Sequence, residues 1–231
     1  MIGVLSDAHG NHFAFRLAIS KLKALGASEF IFLGDSVGYI PSIGVVDAIV
    51  ECGESIRCIK GNHEKMFLTD GLEVSREAIY QFRKVRSLTT SVQIRFLDSW
   101  PTHLKKCCEG HNVLFVHGGP GDYTNEYIYP DTDLSRLTVS EEFVFMGHTH
   151  FPFIKKHGPN TFVNVGSCGL PRDDGRFGSA ALFDPTNKNV RLIRFDISDE
   201  TRRVLKSCGP VHSSVIQVFD RRLKKVQGEI I

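Results

Sequence analysis

Five short blocks place residues that can bind metal or move protons directly after apolar runs. They are Ser6-Asp7-Ala8-His9-Gly10, Gly34-Asp35-Ser36, Gly61-Asn62-His63-Glu64, Val116-His117-Gly118-Gly119 and Gly147-His148-Thr149-His150. Each sets an Asp, Asn or His at a predicted strand end, where a loop can present it to a ligand. Together they offer enough nitrogen and oxygen donors for two metal ions. Imidazole with carboxylate suits divalent transition metals, manganese foremost and then iron, zinc or nickel, better than calcium. The chemistry expected is that of a dinuclear metal hydrolase.

The spacing supports this. Asp7 and His9 are two residues apart, so on the turn beyond a strand they can converge on one ion. The same interval recurs in His148-Thr149-His150 after Phe143-Val144-Phe145-Met146. Asp35 closes the second strand, and a carboxylate there can bridge two metals with one oxygen on each. Asn62 offers a neutral carbonyl where a further carboxylate would overneutralise the pair. His117 precedes Gly118-Gly119, whose lack of side chains lets the backbone come close.

The elements that must position these groups read as α/β. Ile2 to Leu5, Glu29 to Leu33 and Ile56 to Ile59 are predicted strands. Between them lie a helical pattern from Asn11 to the stop at Gly26 and another after Pro41-Ser42. Such a unit makes the first sheet parallel. Leu72 to Phe96 reads as one or two helices with Arg83, Lys84 and Arg86 outward. Hairpins follow over His103 to Val116, Phe151 to Val165 and Ser179 to Phe195, so the second half is expected to be largely antiparallel. Tyr123 to Ser140 is expected to be a loop beside the site. Helices are predicted near Asp199 and after Pro210. The whole, 1–231, is expected to form one domain, a four-layer αββα sandwich of two mixed sheets flanked by helices, with 200–231 a helical extension.

Composition narrows the class. With 231 residues, 42% hydrophobic and 23% charged, the chain can bury a substantial core. A formal charge of +2 is too small to imply a nucleic-acid polymer or an anionic membrane as main partner. The start Met1-Ile2-Gly3-Val4-Leu5 lacks the features of a signal peptide, and no apolar run reaches membrane-spanning length, so a soluble cytoplasmic protein is expected. The six cysteines show no CxxC spacing. They read as small core residues rather than a zinc knuckle or disulfide framework. The sequence leaves a homo-oligomer open.

In this order the five blocks resemble the calcineurin-like metallophosphoesterase superfamily, whose pattern is DxH, GD, GNH with an acid, an H with glycine, and GHxH. Agreement continues through Asn164-Val165-Gly166-Ser167-Cys168-Gly169-Leu170-Pro171-Arg172-Asp173. That run, with Gly34 to Tyr39, is similar to the small prokaryotic branch containing phosphodiesterases of the YfcE type. The resemblance implies one metal on Asp7, His9, Asp35 and His150 and a second on Asp35, Asn62, His117 and His148. It implies His63 as a non-ligand residue assisting the leaving group. Protein serine/threonine phosphatases carry a further Asp and Arg after their GD block and an Arg before GNHE. Here those places read Gly38, Tyr39 and Lys60, which argues against phosphoprotein as substrate and removes the usual carboxylate partner of His63.

Phosphate esters are anionic and poor electrophiles, so hydrolysis needs charge neutralised on the phosphoryl oxygens, a strong nucleophile and a proton for the leaving alkoxide. Two metals holding a bridging hydroxide answer the first two needs. Arg172, with its planar fork, and Asn11 are the candidate substrate contacts. The expected activity is hydrolysis of a small phosphodiester, with a nucleotide polyphosphate or phosphomonoester as the alternative. A protein-binding scaffold on the same fold, as in retromer-type relatives, is the non-enzymatic alternative; it would not need the complete set of ligands present here.

Overall fold

The computed structural model describes residues 1–69 and 74–231. Strands β1 (Ile2–Leu5), β2 (Glu29–Phe32) and β3 (Ile56–Cys58) run parallel, with Ile2 opposite Glu29 and Phe30 opposite Ile56. β1 is buried along its whole length and β2 over its last three residues, which is why both read as continuous apolar runs rather than alternating ones. The crossovers are helices α1 (His12–Ala24) and α2 (Gly44–Cys52). α1 buries Ala14, Phe15, Ala18, Ile19 and Leu22, a stripe at helical spacing.

The chain after Cys58 is more helical than the sequence suggests. α3 (Asn62–Leu68) starts at the GNHE block, and α4 (Val74–Tyr80), α5 (Phe82–Ser87) and α6 (Ser91–Ser99) follow. Where one or two helices are expected there are three among the described residues, because Gln81 turns left-handed at φ 54° and Thr90 caps a new helix through its bond from the Gln93 amide. The predicted start at Leu72 lies outside the described residues.

Strands β4 (His103–Cys108), β5 (His111–Val116), β6 (Phe143–Met146), β7 (Phe153–His157) and β8 (Asn160–Asn164) form the second sheet in the order β4-β5-β6-β8-β7. The expected antiparallel sheet is a mixed one. β5, β6 and β8 are mutually parallel, and only the edge strands β4 and β7 pair antiparallel. The connection 117–142 is long enough for a parallel crossover without being helical; its regular part is one 3-10 turn at Leu134–Arg136. β9 (Phe177–Asp184) then returns to the first sheet antiparallel to β1, β10 (Asn189–Asp196) pairs with β9, and β11 (Glu229–Ile230) closes the edge.

Two mixed sheets flanked by helices are the architecture expected and observed. Between the sheets, Val4, Ile31, Leu33 and Phe183 meet Phe115, Phe145, Val163 and Val165. On the far side of the first sheet, residues of α1 to α6 share a core with Val204 of α7 (Ser198–Cys208) and Val215 and Phe219 of α8 (Ser213–Phe219). Over the second sheet, Ile128, Leu134, Leu137 and Val139 of the 117–142 connection cover Leu114, Val144, Met146 and Phe162. No helix of the structure is long and apolar enough to cross a membrane, among the described residues.

Candidate metal centre

Asp7, His9, Asp35, His148 and His150 all have left-handed backbone, with φ of 57°, 46°, 59°, 63° and 63°. Non-glycine residues rarely adopt this conformation, and such strain gathers at functional sites. Here it turns the chain sharply past β1, β2 and β6, so that side chains from three strands meet. Asp7 donates its amide to the Gly34 carbonyl, and His9 its amide to the Asp35 carbonyl, tying the first two turns together.

Space at the junction is set by glycine. A Cβ at Gly61 would lie 2.1 Å from Asp35 Oδ1, and one at Gly147 would lie 2.6 Å from Asp7 Oδ2. Glu64 holds the second and third turns in place. It is fully buried, and its carboxylate accepts from the amides of Asp35 (2.7 Å), Ser36 (2.6 Å) and Gly61 (2.8 Å) and from Ser36 Oγ (2.7 Å). Burial, then the nearby Asp35 carboxylate, raises its pKa against these bonds. The 164–173 run cross-links the other turns. Asn164 Nδ2 donates to the Gly147 carbonyl at 2.7 Å, and Ser167 Oγ donates to the Asp7 carbonyl at 2.6 Å.

Inside this frame four imidazoles are fixed in one tautomer. Nδ1 of His9 and of His63 donates to the Val37 carbonyl, that of His117 to the Leu33 carbonyl and that of His150 to the Leu170 carbonyl. A carbonyl can only accept, so each neutral ring turns a bare Nε2 inward. His9 Nε2 and His150 Nε2 are 3.1 Å apart, and Asp7 Oδ1 lies 3.2 Å from the latter and 3.6 Å from the former. Asp7 Oδ1 is buried without a donor. In the adjacent half, His117 Nε2 lies 3.0 Å from Asn62 Oδ1, 3.2 Å from His148 Nδ1 and 3.3 Å from Asp35 Oδ2. So many converging lone pairs repel one another unless cations or protons lie among them, and the residues therefore fit divalent metal. Among the described residues, three groups bring their ligand atoms within 4.8 Å of one another: Asp7, His9 and His150; His9, Asp35 and His63; and Asp35, His117 and His148.

Electrostatics agree. Burial alone would raise the Asp7 carboxyl, but the His150 and His117 imidazoles hold it well below the usual carboxylate range. Asp35 is likewise held down, by His117 and His63, against its burial. Burial depresses His63 to about 3, and His148 and His150 to about 4. His117 opposes the same burial with the Asp35 and Asp7 carboxylates and rises to about 9.

Every predicted ligand reaches this cluster: Asp7, His9, Asp35, Asn62, His117, His148 and His150. Three expectations need correction. Asn62 and His63 occupy the first turn of α3 rather than a loop, because Glu64 satisfies the Gly61 amide at the helix start. Asp35 does not offer one oxygen to each side: its Oδ1 accepts from the His63 amide at 2.9 Å, and Oδ2 alone faces both His9 (3.6 Å) and His117 (3.3 Å). Asn11, expected at the substrate, is buried as the N-cap of α1. Its oxygen accepts from the Ala14 amide at 3.2 Å and its Nδ2 donates to the Gly169 carbonyl at 3.1 Å, so its polar atoms are engaged within the fold.

His63 is walled by rings: Tyr39 stacks on it at 5.0 Å, Tyr80 lies at 4.6 Å and Phe82 at 5.4 Å. Where protein phosphatases supply an acid, Gly38 has φ 92°, and a Cβ there would sit 2.2 Å from His63 Nδ1. The Val37 carbonyl takes the place of the missing carboxylate. Arg172 comes from another direction, its Nη2 donating to the Tyr39 hydroxyl at 2.9 Å. Lys60 is drawn to Asp98, 3.1 Å away. Tyr127, from the expected loop, lies 4.1 Å from the His148 ring, a contact that no local pattern in the sequence marks. Cys168 is fully buried, and burial pushes its thiol up, as suits a packing residue.

Residues 1–188 match the calcineurin-like phosphoesterase superfamily domain. An uncharacterised protein of Methanocaldococcus jannaschii is 27% identical over 238 residues, covering 90% of this chain and 93% of its own. A hypothetical protein of Pyrococcus horikoshii OT3 superposes with a TM-score of 0.80 at 20% identity, covering 95% of this chain and 98% of its own. A metallophosphoesterase from Sphaerobacter thermophilus gives a TM-score of 0.75 at 24% identity over the same shares, 95% and 98%. Five ligand blocks in order, the two-sheet frame that brings them together and a domain match over most of its length place this chain in the calcineurin-like phosphoesterase superfamily.

Proposed function

We propose that this chain is a dinuclear metal-dependent phosphoesterase that hydrolyses a small phosphodiester. The observation that carries the reading is the convergence of the inward-facing Nε2 atoms of His9, His117 and His150 on Asp7 Oδ1 and Asp35 Oδ2, in two adjoining halves. Asp7, His9, Asp35 and His150 would hold one ion and Asp35, Asn62, His117 and His148 the other, with manganese first among candidates. When bound, such a pair neutralises phosphoryl charge and lowers the pKa of water enough to make a nucleophile near neutral pH.

The chain's own residues do the rest. The carbonyls of Val37, Leu33 and Leu170 hold the imidazoles in orientation. Arg172, steadied by Tyr39, pairs with a phosphoryl oxygen. His63, Nε2 inward, bonds the leaving oxygen. It is neutral in the free site, and a phosphoester anion alongside favours its protonated form, the form needed to protonate an alkoxide.

The test is a panel of phosphodiesters, phosphomonoesters, nucleotide polyphosphates and phosphoserine peptides, each assayed with manganese, iron, zinc and nickel. Small diesters should be turned over best. Preference for phosphoserine peptides, or no turnover with any metal, overturns the reading.

A further inference from the structure

We infer that the groove beside the metal cluster takes the base of a nucleotide ester, holding it on aromatic side chains while the phosphorus faces the cluster; this rests on the phosphoesterase reading above. The groove encloses about 420 Å³, within the range of roughly 300–1,000 Å³ usual for small-molecule sites. Tyr39, Tyr80, Tyr129 and Phe151 line it, and Val215 and Val218 of α8 add apolar surface. Its inner end adjoins the cluster. Leu170, whose carbonyl takes His150 Nδ1, lines the groove, as does Tyr39, which stacks on His63 at 5.0 Å.

Charge narrows the ligand. Arg172 and Arg221 both reach the groove. Among the described residues, the Arg172 guanidinium contacts the Tyr39 hydroxyl and the Arg221 guanidinium donates to the Arg172 carbonyl, and neither meets a carboxylate. Two guanidiniums without counter-ions suit an anionic ligand, and four rings suit a planar aromatic one. A simple alkyl diester would leave the rings unused, and a neutral aromatic would leave the arginines unpaired. A nucleotide supplies both: its base stacks whatever its sequence identity, and its phosphate meets the fork of an arginine. α8 lies in the C-terminal extension, beyond the 1–188 domain match, so this part of the groove is built outside the matched domain.

Isothermal titration with adenosine 5′-monophosphate, ribose 5-phosphate and inorganic phosphate, on metal-free and metal-loaded protein, tests this. The monophosphate should bind at least about tenfold more tightly than ribose 5-phosphate in both forms. Val218→Trp, which fills the groove, should abolish that advantage, and the exposed Arg221→Glu should lower affinity for the monophosphate about tenfold. Should Val218→Trp fail to fold by circular dichroism, Arg221→Glu decides. Equal binding of the two sugar phosphates, or an affinity untouched by the folded variants, overturns the inference. A base-dependent advantage without turnover of any ester keeps the groove and sinks the hydrolytic reading. Turnover with base-blind binding does the reverse.

Discussion

His9 and His63 share one anchor, the Val37 carbonyl, which accepts from their Nδ1 atoms at 3.3 and 3.1 Å. The shared bond fixes both tautomers and aims both Nε2 atoms at Asp35 Oδ2, at 3.6 and 4.0 Å. Two like groups so placed are distinguished by what else they meet. Tyr39 packs against both rings, but His9 faces His150 and Asp7, whereas Tyr80 and Phe82 close over His63.

His63→Asn should therefore keep metal content while lowering kcat on esters of poor leaving groups by roughly 10² to 10⁴. The loss should shrink on p-nitrophenyl esters, whose leaving group needs a proton less. The backbone bond from residue 63 to Asp35 Oδ1 is untouched by the change. Equal losses on both ester types would remove the acid role, and loss of a metal by elemental analysis would make His63 a ligand.

Asp35→Asn should weaken both metals together, each by at least about tenfold, the lower bound for outer-shell partners. Wild-type protein should bind two ions per chain by titration calorimetry. A variant that loses one ion and keeps the other at full affinity would show that Oδ2 serves a single site.

Glu64→Ala removes an acceptor from four buried donors. Since each stranded donor costs on the order of 1 kcal/mol or more, a loss of at least about 4 kcal/mol in urea unfolding is expected, with weaker metal binding. Glu64→Gln, which keeps the shape and can still accept, should lose less. Equal stability of wild type and Glu64→Ala would show that water replaces the carboxylate.

Metal-free protein should be most stable near pH 6.5. His117 is raised to about 9 in the fold, so the stability from its proton is present below about 6.5 and lost as pH rises through 9. His63, His148 and His150 are depressed to about 3, 4 and 4, so theirs is present above about 6.5 and lost as pH falls toward 4. Metal should displace the His117 proton and flatten the alkaline limb in thermal melts. An alkaline limb of equal slope with and without metal would contradict this.

The strands β1 and β2 and the seven candidate ligand positions that the fold gathers are legible because a buried strand ending in a polar residue leaves a sharp local signature. Pairing across distance is not. Nothing between His117 and Glu142 marks a crossover, so the parallel run of β5, β6 and β8 looks like a chain of hairpins. Glu64 reads as the acid that follows GNH, yet its bonds reach back 28 and 29 residues to Ser36 and Asp35. Asn11, close behind Asp7 and His9, looks like a substrate contact, but a short polar residue before a helix is also what a cap requires. The α3 start was hidden because glycine is a weak capping signal until its glutamate is seen to close the turn.

The left-handed backbone at Asp7, His9, Asp35, His148 and His150 sets folding and chemistry against each other. Glycine relieves such a conformation, so at these five positions the residue best for the unliganded chain is the one that destroys the site. A laboratory selection scored on solubility or melting temperature alone would drift toward glycine there and return a well-folded shell. Only a selection that also demands metal would hold the five side chains in place.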